Sequence, residues 1–195
     1  MEYNDSILTS KTVFARNCDV RKIDRKTAGD FLDRHHVYGS AACRHCYGLF
    51  RRRVTGRSEI QPEENKAVCG ELVSVACFSN ARRWNKSGKI VTSYELVRYA
   101  SLEDTRVVGG MGKLLKSFIE DFHPDDIMTY AISSVAPGRP QRDGLPLPEP
   151  GNVYRKLGFV EEERKFFPSR IDDGLSVSIK FRLKLTDWKE DGEES

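Results

Sequence analysis

The sequence predicts an α/β chain in which strands outnumber helices, and three observations carry that prediction. Apolar residues alternate along SVSIKFRLKL near the carboxyl end, at Val177, Ile179, Phe181, Leu183 and Leu185. They recur at helical spacing over residues 111–122, and a strand-like stretch turns into that helix at Gly109 and Gly110. Read along the chain, the order is β, α, β, β, β, α, β, α, β, β, with no internal repeat.

The first strand falls in TVFARNCDV, with Val13, Ala15 and Val20 loosely spaced, and a helix follows over residues 24–36 on the apolar face of Ala28, Phe31 and Leu32. Residues 46–53 and the apolar run AVCGELVSVACFSN form the next strands, joined by a polar stretch, TGRSEIQPEENK, that suits an exposed connection. ARRWNKSGK reads as a solvent loop, and TSYELVRYAS as a strand. The helix after it carries Met111, Leu114, Leu115, Phe118, Ile119 and Phe122 as one broad stripe and stops at His123 and Pro124. DIMTYAISSV is the next strand, and the prolines and glycines of residues 136–151 forbid regular structure there. A short helix, NVYRKLGF, ends on Gly158, and two strands complete the chain.

With 195 residues, the expectation is a single domain with a core over residues 12–185 and an acidic tail over residues 186–195. A hydrophobic fraction of 38% and a charged fraction of 31% are those of a soluble globular protein. No apolar stretch approaches the roughly 20 residues of a membrane helix. The amino-terminal segment lacks the pattern of a secretory signal, and five cysteines, an odd number, fit a reducing compartment, so the cytoplasm is the expected address. A net charge of +3 does not by itself imply nucleic acid, yet Arg51, Arg52, Arg53 and Arg57 cluster, as do Arg82, Arg83, Lys86 and Lys89. These clusters read as a solvated rim or as phosphate contacts.

The strand-to-helix turn over residues 106–112 is physically a phosphate site. Glycines let the backbone approach an anion, and the first amides of a helix have no internal acceptor. Arg106, Val107, Val108, Gly109, Gly110, Gly112 and Lys113 are its candidate binding residues.

Here the chain resembles the GNAT acyltransferase superfamily, whose coenzyme A motif is Q/R-x-x-G-x-G/A followed by a pair of leucines. Arg106, Gly109, Leu114 and Leu115 keep that spacing, and Met111 departs from it by standing where the motif has its second small residue. The late Y-x-x-x-G-F of Tyr154, Gly158 and Phe159 is the second matching feature. The resemblance spans residues 14–185 in topology, its specific motifs being confined to residues 94–115 and 152–159. It implies a mixed, mostly antiparallel central sheet flanked by helices, acyl-CoA as co-substrate with acetyl as the expected acyl group, and direct transfer to an amine acceptor. It further implies Tyr154 as general acid at the coenzyme A sulfur, Glu95 as a base, and backbone groups near Ser101 as holders of the pantetheine and the carbonyl. Glu95 reads equally well as a partner of Arg98.

His35 and His36 end the first helix. A helix end favours a protonated histidine, so capping explains them as fully as does a catalytic or acceptor-binding role for His36. Cys43 and Cys46 form a C-x-x-C around His45; with Cys69 and Cys77 lying on an apolar strand rather than in a second C-x-x-C, no metal is expected. The chain is also similar to a phage-associated GNAT branch that includes the Mom-type DNA-modification proteins, through a helix-end histidine, the E-L-V-R of residues 95–98 and the late tyrosine motif. That branch implies adenine in DNA as acceptor, arginines 51, 52, 53, 82 and 83 on phosphates, Trp84 or Tyr47 stacked on a displaced base, and residues 136–151 as a lid. A non-catalytic nucleic-acid-binding module on the same fold is the remaining alternative.

Overall fold

The structure is a computed structural model that describes residues 11–52, 70–86, 88–135, 150–168 and 175–187. In chain order it forms β1 (Lys11–Phe14), a 3₁₀ turn (Ala15–Asn17), β2 (Cys18–Lys22), α1 (Arg25–His35), β3 (His45–Arg51), β4 (Leu72–Phe78) and β5 (Arg82–Lys86). It continues with β6 (Lys89–Ser101), β7 (Thr105–Val108), α2 (Gly110–Phe122), β8 (Asp126–Val135), α3 (Asn152–Lys156), β9 (Val160–Pro168) and β10 (Leu175–Lys184). The contacts gather into two units, residues 1–79 with 98–123 and residues 80–97 with 124–195.

In the first unit β2, β3 and β4 pair antiparallel, and β4 borders the end of β6. Asp24 caps α1 by accepting the Thr27 amide at 2.8 Å, which satisfies one of the free donors of the first turn. The helix buries Ala28, Phe31 and Leu32 in one cluster with Val75 and Ala100. On α2 the expected stripe is buried at Met111, Leu114, Leu115 and Phe118, and the Phe118 ring stacks on Phe78 with centroids 3.8 Å apart. Ser74 is the one polar residue of β4. Its hydroxyl donates to the Ala100 carbonyl at 2.8 Å, so its burial leaves no donor unpaired.

In the second unit the order is β6, β8, β10, β9, with β5 beside β6. The β8–β10 and β9–β10 pairs are antiparallel, whereas β6 and β8 run parallel through Ser93–Asp126, Tyr94–Ile127 and Glu95–Met128. Val177, Ile179 and Phe181 of β10 are buried as their alternation requires. The sheet is thus mixed and mostly antiparallel, as expected.

Three local expectations change. The first strand is broken by the 3₁₀ turn into β1 and β2. Residues 82–86, read as loop, pair antiparallel with β6, with Gly88 at φ +82° in the turn. Their charges are in solvent, but solvent on one or both faces does not prevent a two-stranded ladder. Residues 106–108 belong to β7, paired parallel with β1, so the turn itself shrinks to Gly109. The expected connection before β4, the long proline-rich loop and the end of the acidic tail lie outside the described residues.

Candidate functional site

The N-terminus of α2 is built from backbone. Gly109 takes the left-handed conformation at φ +77°, no side chain caps the helix, and the first intrahelical bond runs from the Lys113 amide to the Gly109 carbonyl at 3.1 Å. The amides of Gly110, Met111 and Gly112 are therefore left without intrahelical acceptors. Gly110 is buried, and a methyl group there would lie 2.7 Å from Val107 Cγ1 and 2.9 Å from the Tyr99 hydroxyl. Met111 is only 7% exposed. Its side chain joins the core, so the departure from the motif does not crowd the outer face of the turn.

The other residues expected at this turn divide. Arg106 and Val108 are exposed, and Val107 is half-buried against the position of Gly110. Lys113 donates to the carbonyls of Ala15 at 3.0 Å and Cys18 at 2.6 Å, which occupies its ammonium with the 3₁₀ turn and β2. The Ser101 hydroxyl lies 3.1 Å from both Tyr99 and Ser74. This chain of hydroxyls was not legible in the sequence, although residues 99 and 101 share a strand face by their spacing of two.

His36 caps the end of α1, and its Nδ1 accepts the Tyr38 amide at 3.1 Å. Burial, followed by the charge of Arg98, lowers its pKa below the ordinary histidine value. The helix-end field that favours the cation is outweighed here, and the neutral ring with an occupied Nδ1 presents Nε2 as a donor. His35 packs its ring on Phe31 at 4.6 Å, and its buried Nδ1 has no hydrogen-bond partner among the described residues.

In the second unit Glu95 lines a cavity of about 300 Å³ with Arg82, Trp84, Ser93, Asp126, Met128, Tyr130, Lys180 and Arg182. These residues come from four strands but share one sheet face, because each strand contributes alternate positions. Glu95 pairs with Arg82 at 3.6 Å and keeps 22% of its side chain exposed. The alternative partner, Arg98, lies three residues along the strand, and residues three apart on a strand point to opposite faces. Asp126 is fully buried, accepts from Ser93 at 2.9 Å and pairs with Arg182 at 2.9 Å. Burial pushes its carboxyl up against the pull of Arg182.

Tyr154, also in the second unit, sits on α3 with its ring 5.7 Å from Phe159 and 5.6 Å from Phe181. Gly151 caps this short helix at φ +78°, where a methyl group would meet the Phe181 ring at 2.3 Å. The arginine clusters are partly neutralised. Arg52 pairs with Asp19 at 2.7 Å, Arg51 with Glu71 at 4.0 Å and Arg82 with Glu95, while Arg53 lies outside the described residues. None of the helices among the described residues is long and apolar enough to cross a membrane.

The chain has the fold of the GNAT N-acetyltransferases. Its solved neighbours include Arabidopsis thaliana NAA60 in complex with a bisubstrate analogue, with a TM-score of 0.55 at 13% identity over 87% of this chain and 99% of that one. Spermidine/spermine N-acetyltransferase SpeG from Vibrio cholerae superposes with a TM-score of 0.52 at 8% identity over 87% and 94% of the two chains. An N-acetyltransferase from Staphylococcus aureus Mu50 gives 0.50 at 12% identity over 87% and 99%. No protein-family profile and no curated sequence matches the chain.

Proposed function

We propose that the chain is an acyl-CoA-dependent N-acyltransferase that passes an acyl group, in the simplest case acetyl, directly to an amine. The observation that carries this reading is the uncapped N-terminus of α2 on Gly109 and Gly110, where the amides of Gly110, Met111 and Gly112 have no intrahelical acceptors and no side chain caps them. It occurs on a fold shared with acetyltransferases. Bound acyl-CoA supplies the activated carbonyl.

In this reading the amides of Gly110, Met111 and Gly112 hold the pyrophosphate, with Arg106 adding a cation from solvent. Val107 and Val108 form the wall beside them, and the backbone near Ser101 holds the pantetheine. Lys113 fixes the turn through Ala15 and Cys18 rather than by touching the anion. Glu95 receives the proton of the acceptor ammonium at its carboxylate, directly or through a water, and Tyr154 holds at its hydroxyl the proton that neutralises the leaving sulfur. His36, as a neutral donor, orients an acceptor oxygen.

Thermal melting with acetyl-CoA tests the reading. A ligand at about 100 times its Kd stabilises the folded state by roughly 2.7 kcal/mol, which is several degrees for a chain of this size. No shift at millimolar acetyl-CoA overturns the proposal. Mass spectrometry of products from polyamines, a peptide amine and an adenine-containing oligonucleotide then assigns the acceptor, with transfer to adenine marking Mom-type chemistry.

A further inference from the structure

Three cysteines converge in the first unit. Cys46 on β3 and Cys77 on β4 are register partners across the antiparallel ladder, and Cys43 lies three residues earlier, in the segment between α1 and β3. The Cys46 sulfur is 3.4 Å from that of Cys43 and 3.5 Å from that of Cys77, and all three lie within 4.8 Å of one another. All are free thiols.

Single buried cysteines behave as small apolar residues, and Cys18 is one such case in this unit. Packing does not require three sulfurs from two strands and a loop to meet at one point. Their separations instead suit a tetrahedral cation: with a metal–sulfur bond near 2.3 Å, the sulfur–sulfur edge is about 3.8 Å. The surroundings are apolar, with Ala28, Phe31, Leu32 and Val75 in the same cluster, which shields the site from water. Hydrogen bonding from Cys77 is the largest influence lowering the Cys46 thiol, to about 7.

The cluster is not closed. Cys46 and Cys77 are buried, but Cys43 is half-exposed and borders a cavity of about 190 Å³ lined by Arg25, Gly29, Leu32, Ser40, Ala41 and Ala42. The cluster is open to a fourth ligand from that side. Burial is the largest influence on the Cys43 thiol and raises it to about 11, against a smaller pull from the Arg25 charge; that charge would offset part of the negative charge of three thiolates around a divalent ion.

We propose that Cys43, Cys46 and Cys77 form a site for zinc or an equally thiophilic divalent cation, completed by one exogenous ligand on the Cys43 side. Binding releases the thiol protons to solvent and involves no redox step. The cation ties the segment after α1 to β3 and β4, so the site stabilises the first unit. This site does not depend on the acyltransferase reading.

The full chain, purified without chelator, should carry near-stoichiometric zinc. Replacement by cobalt(II) should give a sulfur-to-cobalt charge-transfer band and visible bands of tetrahedral intensity. Both should vanish in Cys77→Ser and persist in the control Cys18→Ser. Should Cys77→Ser fail to fold, alkylation of the native chain decides the matter, because added zinc should slow Cys43 modification at least about tenfold by occupying the thiolate that reacts. Absence of zinc after incubation with excess metal, no cobalt band and unchanged alkylation together overturn the proposal. Acetyl-CoA binding measured in parallel stands or falls separately.

Discussion

The Thr129 hydroxyl donates to the carbonyl of Leu96 at 2.9 Å, one residue beyond the last parallel pair, Glu95–Met128. A side chain thus takes over where the parallel β6–β8 register ends, and it does so in a fully buried position. Thr129→Val keeps the shape but leaves that carbonyl without the hydroxyl. The expected cost is about 1–3 kcal/mol, a fall in Tm of roughly 2–4 °C for each kcal/mol. Thr129→Ser, which retains the donor, should recover most of the loss. Equal melting of the Val and Ser variants would show that the bond contributes nothing.

Gly109 and Gly110 should respond differently to alanine. At Gly109 the added methyl has room, its nearest neighbour being Ala15 Cβ at 3.7 Å, so the cost is conformational at φ +77° and about 1 kcal/mol. At Gly110 it meets Val107, a stiff β-branched side chain, and overpacking costs about 1–3 kcal/mol. Melting with and without acetyl-CoA separates the two. Gly110→Ala, whose methyl faces Val107 and Tyr99, should keep most of the ligand-induced shift, whereas Gly109→Glu should lose all of it, because its carboxylate would stand where the pyrophosphate binds.

Tyr154→Phe should leave the ring contacts with Phe159 and Phe181 in place, so the fold and the acetyl-CoA shift persist. Turnover should fall by about 10²-fold or more if the hydroxyl delivers the proton. Unchanged turnover removes the tyrosine from the mechanism. Glu95→Gln should reduce turnover most near neutral pH, where the acceptor amine is still almost wholly protonated and depends on a base, and least at alkaline pH, where the amine is neutral without one.

Asp121 gives a pH-dependent prediction. The Tyr47 hydroxyl, then the Lys22 ammonium, hold its carboxyl below the usual carboxylate range. A folded-state pKa below the unfolded one means stabilisation that is complete above the unfolded value of about 3.9 and is lost as pH falls through the folded value. Tyr47→Phe removes the larger of the two contributions. The difference in urea midpoint between this variant and the parent should therefore be full near neutral pH and shrink as pH falls below about 4. A difference that grows with acidity would contradict the assignment.

What was legible in the sequence was local. The stripe of α2, the alternation of β10 and the stop at His123 are each written in consecutive residues, and each holds in the structure. Residues 82–86 misled because five mostly charged positions give no apolar period, although a ladder needs only backbone. The pairing of Glu95 with Arg82 depends on β5 lying beside β6, and the meeting of Cys77 with Cys46 on the register of β3 against β4. Both are long-range facts that no spacing within one segment contains. The candidate site was legible at Gly109 and Gly110 because a glycine turn before a helix is itself local.

The burial of Met111 beside the tightly enclosed Gly110 separates two kinds of selection within one turn of helix. Position 111 answers to the volume of the core, so relatives should drift there among Met, Leu and similar apolar residues without regard to ligand. Position 110 has no volume to give, so it should stay glycine for as long as Val107 and Tyr99 keep their places.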